Sequence, residues 1–172
     1  MTSLIPGLLA IALYLLASVL LTARLVYGDS VNVRRKPQIL MVAVAAAVIH
    51  GGLLYQSILT PTGMALGFFN AASLIALLTA ALLLLASFQE PVENLGIPVF
   101  AVAAISIGLG LLYPTDQVIT RGMQSWQLDT HILISLLAYS ILGLAVLQAL
   151  LLAIQDYHLH NRQPGGFIRS LP

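Results

Sequence analysis

Cysteine is absent from this 172-residue chain. Disulfides, thiol relays, zinc–cysteine sites and a CxxCH haem-attachment motif are excluded with it. Any metal or haem would have to be held by histidine, methionine or tyrosine. Charge is scarce as well: Asp, Glu, Lys and Arg make up 8% of the residues, against about a quarter in a soluble domain. A soluble fold needs polar residues to cover its surface, and here they are missing. Lipid must therefore solvate much of the exterior. The net charge of +1 excludes the basic footprint of a nucleic-acid binder. HExxH and paired intramembrane aspartates are also missing, so hydrolysis within a membrane has no machinery to rest on.

What is present is apolar sequence. Hydrophobic residues make up 59% of the chain, and the mean hydropathy is +0.98. Five stretches reach the roughly 20 residues that a spanning helix needs: 4–27, 39–59, 64–88, 95–113 and 130–154. Turn-rich breaks separate them. Lipid-exposed backbone must satisfy its own hydrogen bonds, so the spans are predicted to be helices. The expected fold is an all-α, polytopic transmembrane bundle over 1–157, with a cytoplasmic tail over 158–172. No Lys or Arg precedes the first apolar run, which argues for a retained helix over a cleaved signal peptide.

The basic residues give a direction. With the Arg34-Arg35-Lys36 loop in the cytoplasm, Arg24, Arg34, Arg35, Lys36, Arg162 and Arg169 fall inside, and only Arg121 falls outside. The N-terminus is then outside and the C-terminus cytoplasmic. Tyr113 and Trp126 lie near the outer interface, as aromatic belt residues do.

The acidic residues Asp29, Glu90, Glu93, Asp116, Asp129 and Asp156 all sit at span ends or in loops. A proton pump or ion-coupled transporter usually places carboxylates at mid-membrane. Histidine is the buried titratable group instead. His50 lies roughly 13 Å below the outer end of the second span, next to Gly51 and Gly52, which let a flat ligand or another helix approach. It is either a functional group or a histidine hydrogen-bonded to a neighbouring helix. His131 opens the fifth span, capped by Asp129 or Thr130, with Ser135 and Tyr139 following on one face at i+4 and i+8. It is a ligand candidate or a plain interfacial polar residue. Asn70 and Ser73 share a face of the third span; a buried Asn is costly unless it bonds another helix or a ligand. Ser106 and Gly110 read as small-residue packing and Gln148 as interhelical glue. Gly108 and Gly110 would serve internal packing or a homo-oligomer equally well. His158 and His160 read as a solvated tail, two ligands being too few for a metal site.

Three segments, taken together, resemble a known family. They are VIHGGLLYQSIL with His50, GFFNAASLIAL with Asn70 and Ser73 in an N-x-x-S spacing, and DTHILISLLAYSILGLAVLQALLLAIQDYHLHNR with His131, Ser135, Ala138 and Tyr139 in H-x-x-x-S-x-x-A-Y. The chain resembles the cytochrome c assembly proteins of the CcsA/HemX type, and among them the YpjD-like bacterial inner-membrane proteins. The resemblance implies a multi-pass inner-membrane protein that binds or handles haem, with other cytochrome c maturation proteins as partners. His131 would be an external-face haem histidine, His50 an intramembrane one, and Asn70, Ser73, Ser135 and Tyr139 would shape the pocket. The family's synthases carry a tryptophan-rich external segment, whereas this chain has one tryptophan, Trp126. A non-enzymatic role is therefore expected. Relatives continue through further spans beyond a tail like GGFIRSLP, so the resemblance also implies a chain shortened at its C-terminus. Two other readings stand beside this one. One is a regulatory or scaffold membrane protein of HemX-like character without haem. The other is a small-molecule transporter, for which inverted repeats or broken helices would be wanted; no repeat is visible, and Pro98 lies too near a span start to break it.

Overall fold

The computed structural model describes residues 3–27, 36–60, 63–113, 119–120 and 126–160. Five helices there are long and apolar enough to cross a membrane, and the chain is a multi-pass, all-α bundle. The helices are α1 (Leu4–Tyr27), α2 (Lys36–Ile58), α3 (Phe68–Gln89), α4 (Gly96–Leu112) and α5 (Trp126–His160), with a 3-10 turn at Glu93–Leu95 leading into α4. Three two-residue strands complete the described elements: β1 (Leu59–Thr60), β2 (Gly63–Met64) and β3 (Ile119–Thr120).

The first four helices close a ring. α1 packs on α2 and α4, and α3 packs on the same two. The contact residues recur at alternating steps of four and three: Ala10, Tyr14, Ala17, Leu21 in α1, and Ile39, Ala43, Ala46, His50 in α2. In α3 the corresponding stripe is Ser73, Ala76, Ala80, Leu83 and Ser87. That spacing keeps one seam facing its partner along the whole helix. The seam is built from alanine and serine because in lipid helices gain by close approach and not by escaping water. Ser18 adds a directional link, donating from Oγ to the Ile97 carbonyl at 2.9 Å. On the face carrying the α1 C-terminus, Lys36 Nζ and Glu93 Oε2 pair at 3.0 Å.

On the opposite face, the strands tie the connections together. β2 pairs antiparallel with both β1 and β3. The α2–α3 link is thereby joined to the α4–α5 link, and the Ala65 amide donates to the Ile58 carbonyl at 2.8 Å to close the hairpin. This pairing shortens the third span: its helix begins at Phe68, four residues after the apolar run does. α5, by contrast, is longer than its span on both sides and runs to His160, into the stretch expected to be tail.

α5 stands outside the ring and packs chiefly on α3. Only 6% of its most apolar stretch is buried, against 44% for α4, so one narrow stripe carries its attachment. Ser140 Oγ shares its one proton between the Leu136 carbonyl of its own helix at 2.7 Å and the Ile75 carbonyl of α3 at 3.2 Å. Gln148, expected between helices, is exposed; serine and threonine, short enough to stay close to the backbone, make this contact instead.

The glycines that matter for packing are not Gly51 and Gly52. A side chain at Gly52 would meet nothing within 4 Å, while one at Gly96 would stand 2.7 Å from Leu21 Cδ1 and 2.8 Å from Phe100 Cε2. Both neighbours are about 1% exposed and have nowhere to retreat. Gly96→Val is expected to lower stability by ~1–3 kcal/mol through overpacking. Gly52→Ala is expected to be neutral, or stabilising by up to ~1 kcal/mol from helix propensity. Unfolding of both variants in one detergent, followed by circular dichroism, checks the contrast.

Candidate functional site

Polar side chains from three helices meet inside the ring. His50, on α2, is wholly buried. Its Nε2 lies 2.8 Å from Ser73 Oγ on α3, and Ser73 Oγ lies 3.4 Å from Ser106 Oγ on α4. Ser106 Oγ donates to the Ala103 carbonyl at 2.9 Å. A hydroxyl has one proton, and that of Ser106 is spent on Ala103, so Ser106 can only accept from Ser73. The short His50–Ser73 bond is the firm one of the pair; the 3.4 Å contact between the serines is longer than an ordinary hydroxyl bond. The other ring nitrogen, Nδ1, has no hydrogen-bond partner among the described residues.

A tyrosine completes the centre. Tyr14, on α1, is fully buried. Its ring stacks on Phe100 with centroids 5.7 Å apart and meets the His50 ring edge-on at 5.9 Å. Its hydroxyl also finds no partner among the described residues. The sequence reading passed over Tyr14. The available signal was a tyrosine inside an apolar run, in register with Ala10, Ala17 and Leu21.

A half-enclosed cavity of about 120 Å³ reaches this centre. Ser3, His50, Ser57, Asn70, Ser73 and Gly110 are among its lining residues. His50, Asn70 and Ser73 are therefore brought together around one cavity. Asn70 Nδ2 donates to the Ala65 carbonyl at 2.8 Å and so braces the segment leading into its own helix.

His131, Ser135 and Tyr139 lie elsewhere. No α5 residue lines the cavity. Leu136 and Ser140 mark the side of α5 that is buried. At 100° per residue, His131 points to the opposite side, with Ser135 and Tyr139 turned progressively back toward the flank; His131 and Tyr139 are exposed and Ser135 is half-buried. Asp129 and Thr130 do not cap the helix, which begins at Trp126; Thr130 Oγ1 bonds back to the Trp126 carbonyl at 2.9 Å. The side chains of His158 and His160 lie outside the described residues.

These positions can be tested against haem. The cavity at His50 is smaller than the ~300–1,000 Å³ that enclose a drug-sized ligand, so a whole macrocycle does not fit it as it stands. No group of three potential metal-ligating His, Cys, Asp or Glu residues occurs among the described residues. A single exposed imidazole on an open helix face, at His131, is the arrangement a planar group could approach. Compared with protein-family models, curated proteins and solved structures, the chain matches none.

The bond from His50 to Ser73 is the central one in this cluster. Ser73→Ala would leave the buried His50 Nε2 without its partner, which costs ~1–3 kcal/mol. Ser106→Ala, losing only the longer contact, is expected to cost less. Thermal unfolding of the two variants side by side reads the order directly.

Proposed function

We propose that the chain is a non-enzymatic, haem-handling protein of a bacterial cytoplasmic membrane that supports cytochrome c assembly. Its N-terminus and the start of α5 face outward, and its C-terminus faces the cytoplasm. The supporting observation is one side of α5, where His131 and Tyr139 are exposed and Ser135, between them, is half-buried. A histidine nitrogen in such a place is a ready iron ligand, and a hydroxyl and a phenol along the same side supply hydrogen-bonding and stacking surface. His50, Ser73 and Ser106 then serve as the polar centre that holds α2, α3 and α4 in register. The segments resembling the cytochrome c assembly family supply the substrate class.

A second reading has its own support. α5 leaves nearly all of its apolar surface uncovered, which suits a scaffold that recruits partner helices or a second copy of itself without haem.

An absorption spectrum separates the two. Protein purified in mild detergent from haem-replete cells is expected to show a Soret band. His131→Ala should abolish the band, while His50→Ala should retain it and lower the unfolding temperature. A folded wild-type protein that stays colourless, also after addition of haemin, would leave the scaffold reading in its place.

A further inference from the structure

The cavity at His50 has a direction. Its lining comes from the start of α1 at Ser3, the second half of α2 from His50 to Ser57, the start of α3 at Asn70 and Ser73, and the end of α4 from Ile107 to Leu111. In a bundle of antiparallel neighbours, these four regions lie at one and the same face. The strands that join the α2–α3 and α4–α5 connections stand at that face too. Toward the other face the ring is shut. Tyr14 and Phe100 stack across it, and Leu21, Ala43, Ala80 and Leu83 are all buried. His50 lies eight residues before the end of α2, or about 12 Å along its axis.

The lining is mixed and uncharged. Leu53, Leu54, Ile107 and Leu111 form its apolar part, while Ser3, His50, Ser57, Asn70 and Ser73 contribute hydroxyl, amide and imidazole groups; no charged residue occurs among the described lining residues. Three of these groups are already bonded: Asn70 Nδ2 to Ala65, Ser57 Oγ to the Leu53 carbonyl and Ser73 Oγ to His50 Nε2. Asn70 and Ser73 still keep a little open surface, and their oxygens retain acceptor lone pairs. A space holding a small number of waters, with two to four polar partners on its wall, is the condition under which buried water is retained. An apolar cavity of this size would stay dry.

From this geometry we infer that the cavity is a one-sided aqueous vestibule: water and small hydrogen-bonding solutes enter from the face carrying the start of α1, and from that face alone, as far as Asn70 and Ser73. His50, wholly buried, stands one hydrogen bond behind that wall. The inference does not rest on haem, which the cavity is too small to enclose.

The absence of cysteine from the chain makes the test clean, because any introduced thiol is the only one. Single variants Ser57→Cys at the mouth, Ser73→Cys and Leu54→Cys in the wall, and Ser87→Cys in the sealed half are reconstituted in sealed vesicles of known orientation. A small, charged, membrane-impermeant methanethiosulfonate is added to one face at a time. Ser57→Cys, Ser73→Cys and Leu54→Cys should react from the α1-start face, the two wall positions roughly tenfold or more slowly than the mouth, and Ser87→Cys should stay unmodified from that face. Leu54→Cys leaves the His50–Ser73 bond in place and covers the case in which Ser73→Cys fails to fold. Gly110→Leu, at a lining position with nothing within 4 Å of an added side chain, should slow the wall positions at least tenfold and spare the mouth. Wall thiols that react only with a membrane-permeant reagent, or that react from the opposite face, would overturn the inference.

Discussion

Everything in this bundle depends on how closely the helices can approach one another. In lipid a leucine gains little by moving from an acyl chain to another helix, so association has to come from dense contact and from hydrogen bonds. Ala10, Ala17, Ala43, Ala46, Ala80 and Ala103, all fully buried, give that contact by being small. Gly96 carries the idea to its limit, where Leu21 and Phe100 occupy the volume a side chain would need. The large residues are turned outward: Met41, Val48, Leu85 and Ile105 are mostly exposed and meet the bilayer. The core of a soluble protein reverses this distribution, with its bulk inside.

The same closeness makes polar groups valuable. Each hydroxyl that reaches across a helix contact can find a carbonyl or another hydroxyl within a few ångströms. Ser18 to Ile97, Ser140 to Ile75 and the His50–Ser73–Ser106 sequence all do so. Three neighbouring helices of the ring thus share one line of polar side chains. The line leaves the second imidazole nitrogen of His50 without a partner among the described residues. The ring of Tyr14 meets the imidazole edge-on, and its hydroxyl is likewise without a partner among the described residues.

Much of the architecture was legible from residue order, because a span is a matter of length and hydropathy. All five helices lie where apolar runs lie, with ends displaced by only a few residues. The displacements have causes: Gly63 and Met64 are drawn into a strand, and α5 keeps its helical bonds into water. His50, Ser73 and Asn70 stood out as polar residues in apolar surroundings, and they do line one cavity. Helix neighbours were not legible. A helix that is apolar all round carries no hydropathic stripe, and its buried side is distinguished only by size. Tyr14 escaped notice for that reason, as did the contact of Ser140 with the Ile75 carbonyl. Asn70 was read as bonding another helix or a ligand; its bond to the Ala65 carbonyl depends on a tight turn that spacing alone does not reveal. The glycine pair after His50 resembles a packing notch in sequence, but Gly52 faces open space.

The length of α5 has a mechanical meaning. Its 35 residues extend for about 52 Å, well beyond the ~30 Å of hydrocarbon that a bilayer offers. A rod that overshoots its medium must lean or emerge. Its first turns follow a segment tied to the strand cluster, and its middle is pinned to α3 by Ser140, so both its height and its bearing are set near the face where it starts. The surplus therefore collects at the other end. There the helix becomes a stiff mast rather than a loose tail, carrying Asp156 and the histidine positions 158 and 160 to a fixed distance above the lipid surface.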